Sequence, residues 1–371
     1  MTHIGGARTG FHFLESISRR LLGEQKDQVQ EEMMKRIAFA GERTNFVYTC
    51  YPPRTIDHFI KDDHKIGAGG FGTVFRGKAT RRGLQRMTVL EEGRSYAVKR
   101  TSFLEQEPKR LSLMLLSEER MLEFIEAMQS VEVNKAHIVR LVALLIEIPR
   151  HFYEVMELME GPDLFDFLST RTSTLGEGMS AKLMRQIFTA IHYLHRKAGM
   201  IHRDIKPDNF GFTHPIHQDS EDDMPPLKMF DFGISVALPK VVEEDTARVL
   251  YEMPTAGTLH YLAPECWRGR FGAAVDVWSA GVIAYILMSL DFPFGIASCK
   301  GNKEMTKAAI TENPLEFPPN RWEGISDEAL EFLQSVLERD IARRATTAEV
   351  LNSGWIAAPG SGPPLQRSMT A

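Results

Sequence analysis

The stretch that decides the reading is His202-Arg203-Asp204-Ile205-Lys206-Pro207-Asp208-Asn209. The acid Asp204 precedes a lysine by two positions and the amide Asn209 by five. Phosphoryl transfer asks for such a set: a carboxylate to orient the attacking hydroxyl and take its proton, a cation against the moving phosphoryl group, and an oxygen ligand for magnesium. Further along, Asp231-Phe232-Gly233 offers a second carboxylate for a metal. Each short piece is weak alone. Their order, with a glycine-rich turn upstream, is specific.

That turn is Gly67-Ala68-Gly69-Gly70-Phe71-Gly72, with Val74 just beyond it. It lies inside Lys65 to Lys78, which reads as strand, turn, strand. Glycines let backbone amides approach phosphates with no side chain in the way. A G-x-G-x-x-G turn also occurs in dinucleotide sites, where a helix follows it. Here a second strand follows, so a hairpin over a nucleotide is expected. Tyr96-Ala97-Val98-Lys99 is an apolar strand ending in a lysine. A lysine at a strand end is ordinarily only solvated. This one stands between the glycine turn and a helix expected over residues 111–128. Arg81 to Gly93 reads as an extended polar loop, and residues 128–136 read as an inserted loop.

These motifs resemble the eukaryotic protein kinases, over roughly residues 58–356. The resemblance implies an α+β, two-lobed protein-kinase fold, with a small β-rich N-terminal lobe and a large helical C-terminal lobe. It implies ATP and Mg2+ as cofactors and protein substrates as partners. Lys99 is then expected on the ATP phosphates, held by Glu118, with Glu119 as the alternative if the register slips by one. Val74 and Ala97 are expected against adenine and Met156 at the back of the pocket. Glu157 and Met159 are expected to hydrogen-bond adenine through their backbone; the other reading of Tyr153 to Met159 is a buried strand with no ligand. Asp163 is expected near the ribose and a substrate arginine, or simply as a helix cap. In the catalytic loop, Asp204 is the proton acceptor and Lys206 the phosphate contact. Asn209 and Asp231 are the metal ligands. His202 is expected to pack under Phe232, and Arg203 to hold a phosphate on the activation loop.

The activation segment runs from Asp231 to Glu265. Thr258 is expected to hydrogen-bond the catalytic loop, and with Lys206 in its Lys-Pro-Asp-Asn setting it resembles the Ser/Thr kinases. Thr255 is the first candidate for regulatory phosphorylation by an upstream kinase, and Thr246 the second. Pro254 occupies the place where many relatives carry the phosphorylated threonine. Glu243-Glu244-Asp245 is a candidate stand-in for that phosphate, which leaves open a loop that needs none. Asp163 and Asp208 are expected to receive an arginine upstream of the target residue. Asp276 is expected to begin an apolar anchor helix, and Arg344 to pair with Glu265. Gly211 departs from the family, where most relatives carry a leucine beneath the adenine.

Pro293-Phe294, Trp322, a helix from Ser326 to Arg339 and Asn352 to Ile356 resemble the calcium/calmodulin-dependent group, particularly its calcium-dependent branch. No EF-hand and no basic amphipathic helix follows the core, so no direct calcium site is expected. Residues 1–57 are expected to be a partly helical extension, 58–356 the kinase domain and 357–371 a disordered tail. Glu221-Asp222-Asp223, between the catalytic loop and the metal motif, reads as a surface insertion.

Composition narrows the alternatives. A formal charge of −5 over 371 residues argues against a dedicated nucleic-acid binder. No apolar run approaches the roughly 20 residues needed to span a bilayer, so no membrane partner is expected. Cys50, Cys266 and Cys299 fit neither a disulfide framework nor a zinc pattern. The expected location is the cytoplasm or nucleus. Residues 1–23, with three arginines and one acid, leave organelle targeting as the alternative. Two rival functions stand beside the kinase: a pseudokinase that binds partners without chemistry, and a small-molecule phosphotransferase.

Overall fold

A computed structural model describes residues 47–50, 56–58, 60–69, 72–87, 89–102, 124, 126–130, 132–147, 151–216, 224–238, 246–253 and 255–357. They divide into two compact units. The first comprises the chain up to Met159 with 197–200 and 231–241; the second comprises 160–196, 201–230 and 242 onward.

The first unit is built on a six-stranded sheet, β1 (Val47–Cys50), β2 (Ile60–Gly69), β3 (Gly72–Ala79), β4 (Ser95–Ser102), β5 (Leu141–Glu147) and β6 (His151–Glu157), in the order β1-β5-β6-β4-β3-β2. β1 runs parallel to β5, and the other pairs are antiparallel. Successive side chains on a strand face opposite ways. Tyr96 and Val98 therefore share one face of β4, where they are buried with Ile60, Val155 and Tyr153, while Ala97 and Lys99 take the other. The register sets Lys99 opposite Val74 on one side and Glu154 on the other.

Two expectations need correction here. Residues 81–93 are not an extended polar loop. They open with α1 (Arg81–Arg86), capped by the Thr80 hydroxyl, which accepts from the Gly83 amide at 3.0 Å. Met87 and Leu90 then bury completely or nearly so in the sheet's core. The signal was present: Thr80 as a cap and Leu84, Met87 and Leu90 at three-residue spacing. The many arginines obscured it. Likewise the stretch 128–136 is not merely a loop, since Glu132–Lys135 is a helical turn and Met128 and Val133 are fully buried. The expected extension also contributes β1 to the sheet.

The second unit is helical. Its main elements are α2 (Leu164–Ser169), α3 (Glu177–Arg196), α4 (Ala273–Ser289), α5 (Asp327–Val336) and α6 (Thr347–Leu351). The side chains of α3 that are buried recur at helical spacing, including Leu183, Ile187 and Leu194. α4 is apolar on all sides because α3 and α5 pack against it. It starts at Ala273, a turn earlier than expected, so Asp276 lies inside it and is fully buried. Asp163 caps α2, accepting from the Asp166 amide at 2.7 Å. Phe210–Phe212 pairs antiparallel with Leu227–Met229, placing Gly211 opposite Lys228 and bridged to Asp163.

Candidate functional site

In the second unit the catalytic-loop residues are fixed by a buried carboxylate. Asp276 accepts the His202 amide at 2.8 Å, the Arg203 amide at 2.9 Å and the His195 ring nitrogen at 2.8 Å. Burial alone would push the Asp276 carboxyl up, but His195, His202 and these donors outweigh it and hold it below its ordinary value. Arg203 takes a left-handed backbone, φ 70°, an uncommon conformation for a residue with a Cβ. Its guanidinium lies 4.5 Å over the Phe271 ring, and burial pushes it down to about 10. The His202 ring donates to the Phe230 carbonyl at 3.2 Å and accepts the Asp204 amide at 3.3 Å, which fixes its tautomer.

Asp204 is thereby delivered to a set of donors. Its Oδ1 accepts the Thr258 hydroxyl at 2.7 Å and the Thr258 amide at 2.9 Å. Lys206 Nζ lies 3.1 Å from Asp204 Oδ2 and 3.1 Å from Thr258 Oγ1. Asn209 donates its side-chain amide to the Asp204 carbonyl at 2.7 Å. The approach of Thr258 depends on Gly257, which has φ +111°; a Cβ there would sit 2.6 Å from the Arg203 carbonyl oxygen. Thr255 donates its hydroxyl to the Cys266 carbonyl at 3.2 Å. Asp208 is exposed, and its charge helps raise the Asp163 carboxyl, after partial burial as the main cause.

In the first unit Lys99 is buried, hydrogen-bonded to Asp231 and 3.7 Å from Glu154. Burial pushes its ammonium down; Glu154 and Asp231 outweigh this and hold it above its ordinary value. The Glu154 carboxyl is pushed up by burial against the pull of Lys99. Sequence reasoning missed Glu154. The signal available was an acid in an otherwise apolar strand at a position that pairing could set opposite Lys99. In the Gly67–Gly72 turn, Gly67 pairs with Val74 and Gly69 with Gly72, so the glycines close the β2–β3 hairpin. Ala97 pairs with Met156. The Glu157 amide donates to the Arg140 carbonyl at 3.0 Å, and its side chain accepts the Arg140 amide at 2.6 Å. That amide is committed, so an adenine contact by Glu157 falls to its carbonyl.

Glu118, Glu119, Gly70, Phe71, Pro254, the acids 221–223 and 243–245, most of the extension and the tail from 358 lie outside the described residues.

For magnesium, the donor chemistry suits the ion. In the second unit Asn209 has its amide nitrogen engaged with Asp204, which turns its oxygen outward from that bond; in the first unit Asp231 presents a carboxylate hydrogen-bonded to Lys99. Both are hard oxygen donors of the kind magnesium takes alongside phosphate and water.

A family model for the protein kinase domain matches residues 60–356. Calcium-dependent protein kinase 12 of Oryza sativa subsp. japonica is 36% identical over 211 residues, covering 57% of this chain and 36% of that protein. Calcium-dependent protein kinase 15 of the same organism is 37% identical over 209 residues, covering 56% of this chain and 35% of the relative. CDPK-related kinase 7 of Arabidopsis thaliana is 35% identical over 204 residues, covering 55% and 32%. The chain therefore spans about a third of the length of these relatives. The chain belongs to the protein kinase domain family.

Proposed function

We propose that this chain is a Ser/Thr protein kinase that moves the γ-phosphoryl group of Mg-ATP to hydroxyls of protein substrates with upstream basic residues. The observation that carries this reading is the Thr258–Asp204–Lys206 cluster, with its contacts of 2.7 and 3.1 Å. A carboxylate held by a hydroxyl and an amide at one oxygen is fixed in orientation, with its second oxygen beside the Lys206 ammonium. Asp204 Oδ2 takes the proton of the incoming Ser or Thr hydroxyl as the hydroxyl oxygen bonds to the γ-phosphorus, while the bond from that phosphorus to the bridging oxygen breaks and ADP leaves. Lys206 places its ammonium beside the group in transit, where it offsets developing charge. Lys99 holds the nucleotide phosphates. Asn209 and Asp231 would hold magnesium, which would supply charge neutralisation at the phosphates. The acidic pair Asp163 and Asp208 supports selection of an upstream arginine on the substrate. The Ala263-Pro264-Glu265 platform and Thr258 favour a protein hydroxyl over a small molecule as acceptor.

The test is transfer of labelled phosphate from Mg-ATP to a basic Ser/Thr peptide library, with wild type beside Asp204→Asn. Transfer by wild type should fall at least about a hundredfold in the variant, since a positioned base contributes roughly 10²–10⁴. No transfer by wild type, even after incubation with activating kinases, would replace this reading with the partner-binding pseudokinase.

A further inference from the structure

The second half of the activation segment is fastened at both ends to one short stretch, Arg344 to Glu349. At its far end Glu265 receives Arg344 in a two-point ion pair, with contacts of 2.5 and 3.0 Å. At its near end Arg248 donates from Nη2 to Glu349 at 2.8 and 3.1 Å and to the Arg344 main-chain carbonyl at 3.2 Å. Thr255 and Thr258 lie on the loop between these two anchors.

A half-exposed ion pair by itself is worth little, because solvent screens it and two long side chains must be immobilised. Four features raise the value of this one. Glu349 is already held as the third residue of a capping box on α6: it accepts the Thr346 amide at 2.6 Å, and its own amide donates to the Thr346 hydroxyl. Little further entropy is lost when Arg248 arrives. Partial burial would push the Glu349 carboxyl up, yet the Thr346 amide and Arg248 hold it below its ordinary value. Next to Arg248 the chain is also held by its backbone. Tyr251–Glu252 pairs with Arg270–Phe271, and the Met253 amide donates to the Gly269 carbonyl at 2.7 Å. Finally, the Val249 carbonyl approaches Gly272 so closely that a Cβ there would lie 2.1 Å from its oxygen.

We infer that Arg248 is a positioning residue: through Glu349 and the Arg344 carbonyl it holds the activation segment in the arrangement that sets Thr258 on Asp204, with no phosphate on the segment. This rests on the kinase reading above and adds to it how the segment is ordered. The phosphate that orders such a loop in other proteins works by pairing with arginine. Here an arginine on the segment pairs with a carboxylate on the body, and the polarity of the contact is reversed. The candidate Thr255 has its hydroxyl turned to the Cys266 carbonyl, inside the fastened loop.

The experiment uses the full chain, treated with a phosphatase, as wild type, Arg248→Ala, Arg248→Lys and Glu349→Gln. Gln keeps the capping-box acceptor and removes only the charge. For peptide, kcat/KM should fall about five-fold in Arg248→Ala and Glu349→Gln, the upper range for such a pair. Arg248→Lys should recover most of it. The KM for ATP should stay within about two-fold, and thermal unfolding should be unchanged, which a merely structural role would not produce. Hydrogen exchange at the amides of 246–253 should rise in the two loss variants and recover in Arg248→Lys. If Arg248→Ala does not fold, Glu349→Gln reads the same pair. Unchanged peptide kinetics in the variants, or a wild type active only when phosphorylated, would overturn the inference and leave the kinase reading intact. A wild type inactive in both states would overturn that reading and this inference with it.

Discussion

Asp204 receives two donors on one oxygen from a single residue, Thr258. Thr258→Val keeps the shape and the amide but removes the hydroxyl. A hydrogen bond to a charged group is worth about 1.5–3 kcal/mol, so kcat should drop roughly ten-fold or more, while Thr258→Ser retains most activity. Steady-state kinetics at saturating ATP measures this. His192 supplies a pH prediction. Its ring is 2.9 Å from the Thr347 hydroxyl, and burial, with Arg196 and His195 nearby, lowers its pKa below the ordinary value. Where the folded pKa lies lower, the unfolded chain binds more protons, so stability falls as pH drops through the unfolded value near 6.5. Thermal melts from pH 8 to 5 should show this loss, and His192→Gln should flatten it. At this scale the chemistry-bearing types at Asp204, Lys206, Asn209 and Thr258 were legible in the sequence. Their contacts need only a tight local loop and one return of the chain. Glu154 was not, because its relation to Lys99 exists only through strand register.

Among the elements, β4 carries Lys99. Its alternation puts Tyr96 and Val98 into the core and turns Lys99 to the opposite face. α1 and the residues after it support that strand from the core side. The Tyr96 hydroxyl accepts the Glu91 amide at 2.7 Å, and Met87 fills the space beside it with no exposure at all. Met87→Ala should therefore destabilise the protein by about 2–5 kcal/mol, the range for emptying a buried methionine, as measured by urea unfolding. A truly solvated loop at 81–93 would tolerate the change. The polar composition of that stretch hid a helix because Arg81 and Arg82 are exposed on it while Leu84, Met87, Val89 and Leu90 pack on the core. By contrast the twenty residues of α3 carry periodic apolar spacing that marks a helix from residue types alone.

At the scale of the molecule, long-range polar anchors hold the second unit in register. Arg344 is fully buried, pairs with Glu265, and also donates to the Ala274 carbonyl at 3.0 Å and the Glu338 carbonyl at 2.7 Å. Arg344→Ala leaves the Glu265 carboxylate buried without its partner, and breaking such a pair costs about 3–5 kcal/mol. Removing Glu265 as well should cost less than the sum of the two single changes, because the residues act as one unit. Chemical denaturation of the three variants tests this. The kinase family, the α+β fold and the order of the motifs were determined by the sequence alone. Each is written in contiguous residues whose chemistry or backbone freedom is local: glycines at a hairpin, an acid, a lysine and an amide within one loop. The pairing of Lys99 with Glu154, the burial of Asp276 beneath the catalytic loop and the fastening of Arg248 to Glu349 were decided only by the tertiary structure. They join residues far apart in the chain, and packing and strand register, which no short stretch encodes, choose which charges meet.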